Sequence, residues 1–212
     1  MGENIKLKYI LIAIAIFIMT PYIIFIFQNL TQRTLLKEAI SFLVILAFSL
    51  VLGLFFLTRI NRIFIKIFKM IKIVKIHKII GYFVITVFLI HPFLIVLPRY
   101  FEAGVDPIDA FIMIITNFNS LGIIFGLISW ILIVILLIST FLRNNLTYIS
   151  WRKLHAVLVV VFVIFSLLHI FDLGRHSNEF MAIFMILLAI IGISLLAKLY
   201  FFKRKTKREI QR

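Results

Sequence analysis

The sequence predicts an all-α polytopic membrane protein, a six-transmembrane-helix bundle with both termini cytoplasmic. Three observations lead there. Of 212 residues, 64% are hydrophobic and 15% charged, and mean hydropathy is +1.19. A soluble domain of this size has no way to keep so much apolar surface from water. The apolar residues fall in six runs, each long enough to cross about 30 Å of hydrocarbon. Lys and Arg are segregated between the connections, in the manner of the positive-inside rule.

The first run, near 7–27, contains Pro21. It is too long for the apolar region of a signal peptide, and no small-residue cleavage site follows it, so it is expected to be retained. The second, near 36–58, ends at "TRINR". The next stretch, "RINRIFIKIFKMIKIVKIHK", repeats a basic residue every three or four positions among Ile, Phe, Val and Met. That period gives a helix with a basic stripe, so an interfacial helix on the anionic inner leaflet is expected over 59–76; a docking surface for an acidic cytoplasmic partner is the sharper alternative. The third run, near 77–98, closes at Pro98. After "RYFEAGVDPIDAFIMIITNFNS", in which 111–115 is expected to dip into the interface, come runs near 120–142, 152–171 and 179–201. The whole of 1–212 reads as one domain.

Charge assigns the sides. The N-terminus, the 59–78 connection, the 143–153 connection and the tail hold nineteen of the 23 basic residues. The opposite side holds Arg33, Lys37, Arg99 and Arg175, with six of the eight acids. The net charge of +15 therefore belongs to the inner membrane surface, and no nucleic-acid partner is expected. With no cysteine in the chain, disulfides, thiolate metal sites, iron–sulfur clusters and covalently attached c-type haem are excluded.

Four of the five histidines stand in two pairs. "HKIIGYFVITVFLIH" separates His77 and His91 by fourteen residues, and "HAVLVVVFVIFSLLH" separates His155 and His169 by the same number. Fourteen residues rise about 21 Å in nearly four turns, so both members of a pair project from one helix face. The third and fifth spans run parallel, which sets His77 level with His155 near the inner side and His91 level with His169 near the outer side. Ionisable groups at membrane depth are costly and mark function by default. Paired imidazoles without a carboxylate suit a flat macrocycle with axial ligands better than zinc, which takes three or four protein ligands at one level. Two non-covalent b-type haems are the expected cofactors, with all four histidines as axial iron ligands.

From His77 the same face carries Gly81, Val84 and Phe88, and from His155 it carries Val159, Phe162 and Ser166. Gly81 lets a porphyrin approach the backbone. Arg152, Lys153 and Lys78 lie at the inner level, where propionates need cations. The fifth histidine, in "DLGRHSNEF", is expected in an exposed outer loop without a partner; the alternative is that with Arg175 and Asp172 it meets an acceptor near the outer haem.

These segments resemble the ferric-reductase-like transmembrane domain shared by ferric reductases, NADPH oxidases and related bacterial proteins. The resemblance rests on "HKIIGYFVITVFLIH", on "WRKLHAVLVVVFVIFSLLH" and on "SLGIIFGLISWILIVILLISTFLRNNL", and covers about 75–172. It implies a membrane cytochrome, the electron-transfer subunit of an oxidoreductase, with two haems held between the third and fifth spans by His77 with His155 and His91 with His169. Full-length reductases continue into a flavin- and nicotinamide-binding domain, and this chain has no GxGxxG phosphate loop. The expected donor is therefore a separate cytoplasmic flavin reductase carrying FAD or FMN, or membrane quinol. The expected acceptor, on the outer face, is ferric iron, dioxygen or a partner oxidoreductase. A bacterial or archaeal plasma membrane is the expected location. One alternative is the haem-binding membrane subunit of a periplasmic methionine sulfoxide reductase system, whose third span lacks a histidine matching His77. Another, of a different class, is a non-redox transporter or scaffold whose histidines bridge helices. Pro92 supports that one by freeing a carbonyl, and the lack of Asp or Glu in the span interiors weighs against it.

Overall fold

A computed structural model describes residues 3–28, 33–58, 61–101, 104, 106–116 and 118–201. Among them the regular elements are all helical. Six helices are long and apolar enough to cross a membrane, and the chain is a multi-pass integral membrane protein. In chain order with two shorter helices they are α1 Glu3–Ile26, α2 Leu35–Leu57, α3 Arg62–Phe68, α4 Met70–Tyr100, α5 Pro107–Thr116, α6 Leu121–Asn145, α7 Tyr148–Leu173 and α8 Glu179–Tyr200.

The starts follow from short polar side chains at the helix entrances. Asn61 Oδ1 accepts from Phe64 N–H at 3.3 Å, and Asp106 Oδ1 from Ile108 N–H at 2.7 Å. Ser120 Oγ accepts from Ile123 N–H at 3.4 Å, Thr147 Oγ1 from Ser150 N–H at 3.2 Å, and Asn178 Oδ1 from Met181 N–H at 2.9 Å. In α1, Pro21 has no N–H to offer the Phe17 carbonyl four residues back. A π-helical turn, Ala15–Met19, precedes it, and Ser49 Oγ of α2 donates to the Phe17 carbonyl at 2.9 Å. A polar side chain on the neighbouring helix thus restores what proline removes, as a non-aqueous surrounding requires.

The basic stretch differs from the expected single interfacial helix over 59–76. Residues 59–60 lie outside the described residues, α3 covers Arg62–Phe68, and Lys69 breaks the helix with φ 59° and ψ 146°. The third span then opens at Met70, so Lys72 and Lys75 already belong to the helix that carries His77. The tail cations beyond 201 lie outside the described residues. The apolar stretch 111–115 belongs to the short helix α5, whose Phe111 ring stacks on Phe93 of α4 at 5.2 Å.

The most extensive helix pairing is α6 with α7, followed by α2 with α4. Phe48 and Leu52 of α2, Val163 of α7, and Met181 and Met185 of α8 are fully buried at the centre. Helices α4 and α7 approach each other less closely than either approaches α6. That leaves a gap between the two histidine-bearing helices.

A candidate functional site built from two histidine pairs

Across that gap the structure brings the histidines together two by two. The His77 and His155 rings face each other with centroids 6.5 Å apart and planes at 61°. The His91 and His169 rings repeat the 6.5 Å separation, with planes at 80°. Between the two levels Phe88 and Phe162 meet edge to face at 5.5 Å. Phe162 is buried, as are Val84 and Ser166 on the same faces. The faces read from the fourteen-residue spacing are therefore the faces turned to the gap.

The two histidines of α7 are held by α6. His169 Nδ1 lies 2.8 Å from the Gly122 carbonyl oxygen. A carbonyl only accepts, so Nδ1 carries the proton and Nε2 keeps its lone pair for a ligand. Gly122 N–H in turn donates to Asp172 Oδ2 at 2.8 Å. His155 is held differently: the Trp151 indole stacks on its ring at 5.3 Å and 28°, and Trp151 Nε1 donates to the Ser139 carbonyl of α6 at 3.0 Å. Arg143 lies over the Trp151 ring, with its guanidinium carbon 5.1 Å from the ring centre.

The outer pair borders a cavity of about 680 Å³, whose lining includes Pro92, Ser129, Trp130 and Ser166. Inside it, His91 Nδ1 and Ser129 Oγ are buried without a hydrogen-bond partner. At the inner level His155 Nδ1 is also buried and unpartnered. Gly81, one turn from His77, has nothing within 4 Å of the position a Cβ would take. Of the inner cations, Arg152 lies over the Tyr148 and Tyr200 rings at 5.4 and 5.7 Å, and Lys153 and Lys78 are exposed.

The donor set narrows what can be held. Among the described residues no three His, Cys, Asp or Glu side chains gather as metal ligands, which disfavours a compact tetrahedral ion. Two axial metal–imidazole bonds of about 2.0–2.1 Å, with half a ring on each side, place ring centroids roughly 6 Å apart. The observed separations fit such an axial pair with a thin, flat group between the rings. The open space at Gly81 and the cavity at His91 fit the body of that group.

His176 differs from the expectation of an exposed loop histidine. It is buried, and its Nδ1–H donates to Gln28 Oε1 at 2.8 Å while Gln28 Nε2 donates back to the His176 carbonyl at 2.9 Å. Its Nε2 lies 3.1 Å from Glu38 Oε2, and Arg33 Nε donates to Glu38 Oε1 at 3.0 Å. Burial lowers the His176 pKa below its ordinary 6.5, with Arg33 and Arg175 acting the same way and Glu38 opposing. The cluster ties the end of α1, the start of α2 and the α7–α8 loop together.

Gly122, Gly126 and Trp151 are the site residues that the sequence reading left without a role. A Cβ on Gly126 would lie 2.7 Å from His169 Nδ1, and one on Gly122 would collide with Asp172. The signal was present in "LGIIFG": two glycines four apart mark a face on which helices approach closely in membranes.

A family model described as the ferric reductase like transmembrane component matches residues 43–166. A protein of Archaeoglobus fulgidus, described as uncharacterized, is 38% identical over 160 residues, which cover 74% of this chain and 87% of that one. No solved structure matches the chain.

Proposed function

This chain belongs to the ferric reductase like transmembrane family, and on that basis we propose that it is a b-type cytochrome carrying electrons across the bilayer through two stacked haems. Domains of this family generally bind haem. The observation that carries the reading is the repeated geometry: two histidine pairs, each at 6.5 Å, joined by equal fourteen-residue spacings. His77 and His155 would hold the inner haem, and His91 and His169 the outer one. The histidine at 77 favours the two-haem reading over the methionine sulfoxide reductase type of subunit, whose third span lacks it.

When bound, the iron porphyrin supplies a one-electron couple, and the rest is the protein's work. The four imidazoles would hold the two groups, at levels about 21 Å apart along each helix. Phe88 and Phe162 fill the space between the levels and exclude water there. Gly81 admits the inner macrocycle, and Arg152 and Lys153 stand as the cations for its propionates. The Gly122 carbonyl accepts a hydrogen bond from Nδ1–H of His169, which leaves Nε2 free to ligate.

The orientation follows from charge: the end bearing Lys72, Lys75, Arg143 and Arg152 is cytoplasmic, and with six spans both termini lie there. The donor is a cytoplasmic flavin reductase, carrying FAD or FMN, or membrane quinol. The acceptor is ferric iron, dioxygen or a partner oxidoreductase at the outer face. The archaeal relative supports the plasma membrane of an archaeon or bacterium as the location.

A dithionite-reduced minus oxidised spectrum of the purified protein, with a pyridine haemochrome count, tests this. Two b-type haems per chain are expected. One haem would remove the two-step conduit. None, in protein made with ample haem, would leave a transporter or scaffold whose histidines bridge helices.

A further inference from the structure

Asp172 lies one turn beyond His169 on α7, and both side chains grip the same residue of α6. His169 Nδ1–H donates to the Gly122 carbonyl and Gly122 N–H donates to Asp172 Oδ2, each at 2.8 Å. Gly122 is in the first turn of α6, where backbone N–H groups have no partner inside the helix. Ser120 serves Ile123 in that turn, and Asp172 serves Gly122. The Gly122 carbonyl has a second lone pair beyond its helical bond, and the imidazole takes it. The grip needs bare backbone. A Cβ on Gly122 would run into Asp172 and Leu173, and one on Gly126 would lie 2.7 Å from the His169 ring nitrogen.

We infer that Asp172 is a positioning residue for the outer site: by clamping Gly122 onto α7 it fixes the plane and the proton of the His169 imidazole. The inference rests on the two-haem reading and adds what sets the geometry of one ligand. A ring free to turn about its Cβ–Cγ bond presents its lone pair in a range of directions. The bond from Nδ1–H to a carbonyl whose own residue is held by Asp172 narrows that range. The bond from Gly122 N–H to a carboxylate is charge-assisted and so among the stronger ones available. Its partner His91 has no such restraint, since its Nδ1 is buried without a partner. The inner site relies on Trp151 stacking instead of a carbonyl, so the clamp belongs to the outer level alone.

A mere helix cap would affect stability without touching the ligand plane. The test is therefore spectroscopic and uses the haem-loaded full chain. Low-temperature electron paramagnetic resonance of the oxidised protein reads the mutual orientation of the axial imidazole planes at each haem, and a redox titration reads each midpoint potential. In Asp172→Ala the outer signal is expected to shift and broaden and the outer potential to move, with the inner signal unchanged. Asp172→Asn keeps an oxygen acceptor for Gly122 N–H and is expected to restore most of the wild-type outer signal. Gly126→Ala, whose Cβ would lie 2.7 Å from His169 Nδ1, is expected to shift the same outer signal.

Two haems with an outer signal and potential indistinguishable between wild type and Asp172→Ala would overturn the positioning role and leave the conduit standing. Equal shifts at both haems would also overturn it, marking a general loosening of α6 against α7. A wild-type protein without haem would overturn both.

Discussion

The Trp151 indole lies flat against the His155 imidazole, centroids 5.3 Å apart and planes 28° apart, and its Nε1–H is anchored on the Ser139 carbonyl at 3.0 Å. The residues are four apart on α7, so the indole covers the ring one turn away while its own hydrogen bond reaches across to α6. The orientation of an inner-level histidine is thus decided by a tryptophan one turn away on the same helix, which is itself anchored on α6. Trp151→Phe keeps an aromatic face but loses the donor, and is expected to cost on the order of 1 kcal/mol in reversible unfolding. Trp151→Ala loses both and is expected to lower inner haem occupancy while the outer haem remains, as a pyridine haemochrome count and the two resonance signals would show.

Removing one ligand separates the levels. His169→Ala or His91→Ala is expected to halve the haem count, with the remaining haem showing the inner signal. His77→Ala or His155→Ala is expected to give the converse. Loss of both haems from every single variant would contradict two independently held groups.

Glycines at two places should respond oppositely to a methyl group. A Cβ on Gly192 of α8 would come within 2.9 Å of Phe55 Cβ, so Gly192→Ala is expected to destabilise by about 1–3 kcal/mol through overpacking. A Cβ on Gly81 meets nothing within 4 Å, so Gly81→Ala is expected to leave stability equal or raise it by about 0.5–1 kcal/mol, while inner haem occupancy falls. Chemical denaturation of the apoprotein and haem content of the purified chain read the two effects apart.

His176 gives the stability an acid limb. Burial lowers its pKa below 6.5, so the unfolded chain takes up the proton at a higher pH than the folded one. Its contribution is present above 6.5 and is lost as pH falls from there toward the depressed folded value. Unfolding midpoints measured from pH 8 downward are expected to drop below this point in the wild type and to drop less in His176→Gln. Parallel profiles for the two proteins would assign the acid limb elsewhere.

Much of the architecture was legible because it is local. A run of apolar residues long enough for the bilayer is a helix for one physical reason, the need to satisfy backbone groups without water, and each of the six runs is one. The pairing of His77 with His155 and of His91 with His169 follows from helical pitch and from the third and fifth spans being parallel. The start of the third span was less legible. Lys72 and Lys75 read as an interfacial stripe, yet they continue one helix from Met70, because the break is set by the backbone of Lys69 rather than by composition.

Periodicity along single chain segments is enough for the spans, the two histidine levels and the faces they share. Tertiary structure decided what holds the rings. Gly122 and His169 are 47 residues apart, Gly122 and Asp172 are 50 apart, and Gln28 and His176 are 148 apart. Whether a loop histidine is exposed or packed against Phe25, and which carbonyl accepts an imidazole N–H, depends on how α1, α2, α6 and α7 meet. Helical pitch sets the height and direction of a side chain, but its hydrogen-bond partner is set by the packing of a neighbouring helix whose position no local pattern encodes.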